Sequence, residues 1–208
     1  MHSPSHSRFQ DQLLRYAQEP DAQARQRIDA ALWAEFGVEQ AVLVLDMSGF
    51  SQLTLRFGVV HYLSMVRRMQ LTVLPIVFEN GGQLVKFEAD NCFAMFPDVQ
   101  GAVRSAFAMN RAFAQANSAT ADELDIKIAC GIDFGWILLI DGSDFFGHPV
   151  NRASKLGEDL AAAGEILVTR EAMLRMDNCA DLQLQEVNFT ISGIELQAFQ
   201  VRQAPCAR

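Results

Sequence analysis

The segment Ala41-Val42-Leu43-Val44-Leu45 is an unbroken apolar run closed by Asp46, the pattern of a central strand buried on both faces. Upstream, Ile28, Ala31, Leu32 and Phe36 recur at helical spacing between Asp21, an N-cap after Pro20, and Gly37, a C-terminal stop. Residues 1 to about 20 are polar and read as a loosely ordered arm with a short helix around Leu13 and Leu14. Downstream, Leu55, Val59, Leu63, Val66, Met69, Val73, Ile76 and Val77 keep a period near 3.6, which predicts one or two helices over Ser51 to Asn80 with breaks around Gly58 and Pro75. Leu84 to Phe87 and Cys92 to Phe96 then form a hairpin that turns through Ala89-Asp90-Asn91. A helix from Val99 to Ala116 and two strands, Leu124 to Ile132 and Trp136 to Ile140, follow. The remainder predicts a helix from Val150 to Ala162, a strand Glu165 to Val168, a helix Glu171 to Met176 and closing strands Leu182 to Val187 and Glu195 to Val201.

The order βαββαβ, extended by C-terminal strands and helices, predicts an α+β fold with a ferredoxin-like core. In such a unit the first and third strands are antiparallel neighbours, so the end of strand one and the turn between strands two and three share an edge. That topology brings Asp46 and Asp90 together. The chain divides into an N-terminal arm and helix, residues 1–37, and a main domain, residues 38–208.

Composition narrows the possibilities. The 208 residues carry 17 Lys+Arg against 25 Asp+Glu, a formal charge of −8, so the overall field repels nucleic-acid backbones and anionic lipid. A phosphate ligand then requires local cations or metal ions. Cys92, Cys130, Cys179 and Cys206 lack metal-type spacing and read as free thiols. The N-terminus has no secretory pattern, and the longest apolar stretch, Ile132 to Ile140, is too short for a bilayer. A cytoplasmic chain without membrane or nucleic-acid partners is expected. Trp33 and Trp136 are expected to fill the core or an interface, and Met65, Met69, Met109 and Met173 to pack within helices.

Two carboxylates converging at a sheet edge suit hard divalent cations, which take oxygen ligands and leave other positions to water and phosphate. Taken alone, Asp46 serves equally as a helix cap and Asp90 as a turn residue. The chain has no GxxxxGK[ST] loop, no HExxH and no GxSxG elbow.

Four blocks in order carry a resemblance: LDMSGF (Leu45 to Phe50), GGQLVKFEADNCFAMF (Gly81 to Phe96), DFFGHPVNRASKL (Asp144 to Leu156) and GEILVT (Gly164 to Thr169). Together, over roughly Gln40 to Val201, they resemble the catalytic domain of bacterial class III adenylyl/guanylyl cyclases. The resemblance implies a homodimer with two composite sites, each using metal aspartates of one chain and base-reading residues of the other. By residue match, Asp46 and Asp90 bind two Mg²⁺ or Mn²⁺ ions, Lys86 and Asp144 read the base, Asn151 orients the ribose, and Lys155 occupies the transition-state position. A lysine donor to adenine N1 and an aspartate acceptor from the N6 amino group favour ATP over GTP. The implied reaction makes 3′,5′-cyclic AMP and pyrophosphate.

Three positions depart from the family pattern. Lys155 replaces an arginine and loses its planar fork. Ser192, in the ISG block, replaces a triphosphate-binding lysine with a hydroxyl donor, and Ala89 replaces the usual glycine before Asp90. The expectation is an adenylyl cyclase of reduced turnover. The alternatives are a weak or inactive cyclase-like binding module, or a cyclase for GTP or a pyrimidine triphosphate.

Overall fold

The computed structural model describes residues 3–191 and 194–204. Ser192 and Cys206 therefore lie outside the described residues. The chain begins with α1 (Pro4–Gln18) and α2 (Ala22–Phe36), followed by β1 (Gly37–Met47), α3 (Phe50–Phe57), α4 (Val59–Glu79), β2 (Gln83–Glu88), β3 (Asn91–Phe96) and α5 (Val99–Asn117). It continues through β4 (Ile128–Ile140), β5 (Asp144–Phe146), α6 (His148–Ser154), β6 (Ile166–Thr169), α7 (Arg170–Met173), β7 (Leu182–Ile191) and β8 (Ile194–Gln203). One open sheet runs β2-β3-β1-β4-β6-β8-β7, with β5 paired to β4.

As the unbroken apolar run predicts, β1 is central, antiparallel to β3 on one side and to β4 on the other. Successive residues alternate between faces. Leu43 and Leu45 pack with Met65, Met69, Phe96 and Met109 in the main core under α4 and α5. Val42 and Val44 pack with Val85, Phe93, Phe145 and Ala153 on the other side, beneath α6. The methionines of the first three helical positions, Met65, Met69 and Met109, are fully buried.

Several boundaries differ from the sequence reading. Residues 4–18 form a full helix: the Ser3 hydroxyl accepts a hydrogen bond from the His6 N–H at 3.1 Å and Pro4 opens the first turn. Gly58, with φ of +86°, separates α3 from α4, but Pro75 does not end α4. Its missing N–H costs one hydrogen bond near the helix end, which burial of Val73 and Val77 on either side outweighs. The two expected strands around Gly135 are one strand, because that glycine takes a φ of +152° and the pairing with β1 runs unbroken from Gly37↔Leu138 to Met47↔Ile128. Asp122–Leu124 is a single 3₁₀ turn, so β4 starts four residues after Leu124. Trp136 is 57% exposed and outside the core. Cys92 and Cys130 are buried free thiols, and burial pushes the Cys92 thiol up to about 12.

Candidate active site

The buried strand β1 carries Asp46 to the sheet edge, and the register Leu45↔Cys92 sets the β2–β3 turn beside it. Asp90 acts electrostatically on Asp46. The Asp46 carboxyl is raised from 3.8 to about 7, first by burial, then by the charges of Asp90, Glu158 and Asp159, against an opposing hydrogen bond from Met47. Asp46 does not cap the helix that follows. The N-cap of α3 is Gly49, in the left-handed region, and no side chain bonds there. Ala89 holds φ of +51° in the hairpin turn, a conformation that a glycine adopts without steric cost.

These acids fit a divalent cation by their chemistry. Asp46 and Asp90 are hard oxygen donors whose charges repel each other, a repulsion that a cation between them would relieve. Among the described residues, no group of three or more His, Cys, Asp or Glu side chains is arranged to enclose an ion. Bound ions would thus take their remaining ligands from backbone, water or substrate oxygens, the usual habit of Mg²⁺.

Lys86 of β2 and Asp144 of β5 form a second pair. The Lys86 ammonium lies 3.1 Å from Asp144 and 3.1 Å from Glu88, and 5.3 Å from the centre of the Phe93 ring. Burial opposes the charge on Lys86, but its hydrogen bonds to Asp144 and Glu88 prevail and hold the ammonium above its ordinary range. Both partners are one-third exposed, so the donor and acceptor remain accessible. Asp144 belongs to a short strand that the periodicity does not reveal. Its neighbour Phe145 is buried and meets Phe93 edge-on at 6.2 Å.

The third group rides on α6. Asn151 is exposed within this helix, whose N-cap is Gly147, so it is not a capping residue. Lys155 opens the π-helical turn Lys155–Leu160 that continues α6, and its ammonium pairs with Asp159 one turn on. The close approach of this segment to the sheet depends on two glycines. A Cβ on Gly131 would lie 2.0 Å from the Ala153 carbonyl oxygen, and one on Gly157 would lie 2.7 Å from the Val44 carbonyl oxygen. The backbone of α6 therefore rests directly on β1 and β4. His148 is exposed at the first position of α6.

Two groups escape a motif-based reading. Glu158 and Asp159 join the acidic end around Asp46, and burial raises the Glu158 carboxyl. The Lys155–Asp159 spacing, four residues apart on a helical segment, is the available sequence signal. The second group is an ion-pair network: fully buried Asp133 of β4 accepts from Arg152 of α6, the Thr169 hydroxyl and the Phe134 N–H, while Arg152 also reaches Glu171 at 3.3 Å. This network ties α6 to β4 and β6. An aspartate inside an otherwise apolar strand was its one signal.

No protein-family model matches the chain. An uncharacterised protein of Mycobacterium tuberculosis is 31% identical over 166 residues, 78% of this chain and 41% of that protein. The chain thus spans about two fifths of the length of this relative. Among solved structures, an adenylate/guanylate cyclase/hydrolase from Silicibacter pomeroyi is 27% identical, with a TM-score of 0.67 over 82% of this chain and 99% of that one. The guanylate cyclase domain of RhGC from Catenaria anguillulae, solved with GTP, has a TM-score of 0.69 at 19% identity, over 81% of this chain and 99% of that one. Its sheet order and these likenesses show the fold of a class III adenylate/guanylate cyclase catalytic domain, the family that its four ordered sequence blocks resemble.

Proposed function

We propose that the chain is an adenylyl cyclase that converts ATP to 3′,5′-cyclic AMP and pyrophosphate at composite sites of a homodimer. The Lys86–Asp144 pair carries the choice of adenine: a cationic donor and a carboxylate acceptor 3.1 Å apart match the ring nitrogen and amino group of adenine edge-on. Guanine would set its own N1–H against the lysine donor and its O6 against the carboxylate, leaving both groups repelled. The catalytic unit is residues 38–208, with 1–37 as an accessory hairpin.

Divalent ions held by Asp46 and Asp90 would acidify the ribose 3′-hydroxyl and neutralise the leaving pyrophosphate. Asn151, exposed on a helix braced against the sheet, orients the ribose so that its 3′-oxygen lies in line with the α-phosphorus. Lys155 offers a point charge to the α-phosphoryl oxygens as negative charge develops there, and Ser192 contributes a single hydroxyl donor to the triphosphate. Supporting the homodimer, Leu55, Val60 and Leu63 of α3 and α4 are 89%, 79% and 56% exposed, an apolar surface of the kind that a second chain covers.

A second reading is a nucleotide-binding module of negligible turnover, because Lys155 and Ser192 stand where the resembled family has an arginine with a planar fork and a triphosphate-binding lysine. Incubation of the chain with each of the four nucleoside triphosphates and Mn²⁺ decides the matter. Cyclic AMP as the dominant product supports the proposal. A dominant cyclic GMP or cyclic pyrimidine product refutes the base assignment, and binding of ATP without any cyclic product establishes the module.

A further inference from the structure

The N-terminal helical hairpin makes its main sheet contact where the adenine-reading strand begins. Phe9 of α1 is 3% exposed and packs with Ile28, Leu32 and Phe36 of α2 and with Ile140 of β4. Its ring meets Phe36 edge-on at 5.3 Å and stacks nearly parallel to Phe146 of β5, 6.0 Å between centres and 9° between planes. At the N-terminus of α1, the Ser3 hydroxyl donates to the Asp141 carboxylate at the β4–β5 turn. An Arg8–Glu35 ion pair of 2.9 Å holds the two helices together.

β5 depends on such contacts. It has three residues, Asp144, Phe145 and Phe146, paired to β4 through Ile140↔Asp144 and Leu138↔Phe146. So short a strand has few ladder bonds to fix its position, and the placement of Asp144 is set by what holds its other two residues. Phe145 is anchored in the core with Val42, Val44 and Val85. Phe146, 46% exposed, finds its aromatic partner in Phe9. The turn before the strand is held by Ser3. Both ends of the segment that carries Asp144 are therefore gripped by α1.

We propose that the α1–α2 hairpin is a specificity clamp, in which Phe9, through its stack on Phe146, positions Asp144 for recognition of the adenine amino group. Phe9 and Phe146 are positioning residues and touch no substrate. The clamp rests on the assignment of Asp144 to base reading. A carboxylate that must accept one directed hydrogen bond loses its selectivity when it shifts by a fraction of a bond length, whereas contacts to the triphosphate, made by other elements, do not change. Release of α1 should therefore weaken base discrimination before it weakens triphosphate binding.

The test measures competitive binding of Mn²⁺-ATP and Mn²⁺-GTP to the full chain, with thermal melting to verify folding. Phe146→Ala is the principal variant, since a half-exposed ring is removed with little loss of core. Phe9→Leu is the second, because it keeps apolar volume and deletes the stack. Each should lower the ATP/GTP preference by about threefold to tenfold while leaving inorganic triphosphate affinity within about twofold. Asp144→Ala should abolish the preference, and the phenylalanine variants should lose preference at a melting temperature and triphosphate affinity close to the parent's, a pattern that general destabilisation would not produce. If Asp144→Ala abolishes the preference but both phenylalanine variants keep it within about twofold, the clamp is refuted and base reading by Asp144 stands. Phenylalanine variants that lose inorganic triphosphate affinity as much as base preference refute it too. If Asp144→Ala itself keeps the parental preference, the base assignment fails and the clamp fails with it.

Discussion

Replacing Asp46 with asparagine should stabilise the metal-free protein, although it removes a proposed metal ligand. Burial and the facing charge of Asp90 raise the Asp46 carboxyl from 3.8 to about 7. The folded chain thus retains a proton there that the unfolded chain releases near pH 4. Between these values the folded state binds more protons than the unfolded state, so stability falls as pH rises from about 4 to about 7 and stays low above that. At 1.36 kcal/mol per pH unit the upper limit of this loss is about 4 kcal/mol. Asp46 keeps contact with water at the sheet edge, and solvent screening reduces the figure to about 2 kcal/mol. Asp46→Asn, an uncharged isostere, removes the slope. At pH 8 in chelator its melting temperature should exceed that of the parent by about 4–8 °C, and near pH 4 the two should converge. Added Mn²⁺ and ATP should raise the melting temperature of the parent and leave that of the variant unchanged. A variant that melts below the parent at pH 8 in chelator, or one that keeps the full Mn²⁺-ATP stabilisation, refutes the electrostatic account of this edge.

Mixing inactive Asp46→Asn and Lys86→Ala chains, with subunit exchange verified, should restore up to one working site per heterodimer, and an inactive mixture would contradict the shared-site arrangement. Lys155→Ala should lower cyclic AMP formation by about one to three orders of magnitude; Lys155→Arg should lose less or gain, and an unchanged rate in Lys155→Ala removes Lys155 from the chemistry. Gly131→Ala should cost about 3 kcal/mol in denaturant unfolding, since its methyl group would meet the Ala153 carbonyl oxygen at 2.0 Å; a cost below about 1 kcal/mol would show that α6 rides more loosely on the sheet.

The parts of this protein that are legible in its sequence are those governed by short-range rules. The apolar run before Asp46 requires a strand buried on both faces, and β1 is central. The hairpin around Asp90 follows from turn residues between two apolar runs, and its pairing beside β1 follows from the βαββαβ order. What resisted reading arises from tertiary contact. The helix α1 has a polar sequence with one fully committed apolar residue, Phe9, whose partners Phe36 and Phe146 lie 27 and 137 residues away in the chain. The strand β5 has only three residues, too few for a period to register. Asp133 stands in an apolar run as an apparent exception until Arg152 and Thr169, from two other elements, complete it. Trp136, expected in a core or an interface, is 57% exposed next to Gly135, so the core alternative fails.

The pairing of cations around the site sets how this acidic chain can hold a triphosphate. Lys86 is bound to Asp144 and Glu88, Arg152 to Asp133 and Glu171, and Lys155 to Asp159. Each of the three is already neutralised by a carboxylate, within a chain whose formal charge is −8. Electrostatic attraction of a nucleotide by the protein alone is therefore weak, and the net field opposes it. Of the acids that cancel these cations, Asp159 also belongs to the negative end of β1, where Asp46, Asp90, Glu158 and Asp159 act together. Such an edge repels bare phosphate and attracts divalent ions, so metal must accompany the nucleotide rather than follow it. Nucleotide affinity should then depend steeply on Mn²⁺ or Mg²⁺ concentration. Once the triphosphate is present, the i,i+4 pair that holds Lys155 is half-exposed and contributes only about 0.5 kcal/mol, little enough for a phosphoryl oxygen to displace Asp159. Asp159→Asn should accordingly ease metal-free nucleotide binding by freeing Lys155 while weakening the attraction for the ions, and the sign of its net effect at saturating Mn²⁺ reports which of the two roles governs turnover.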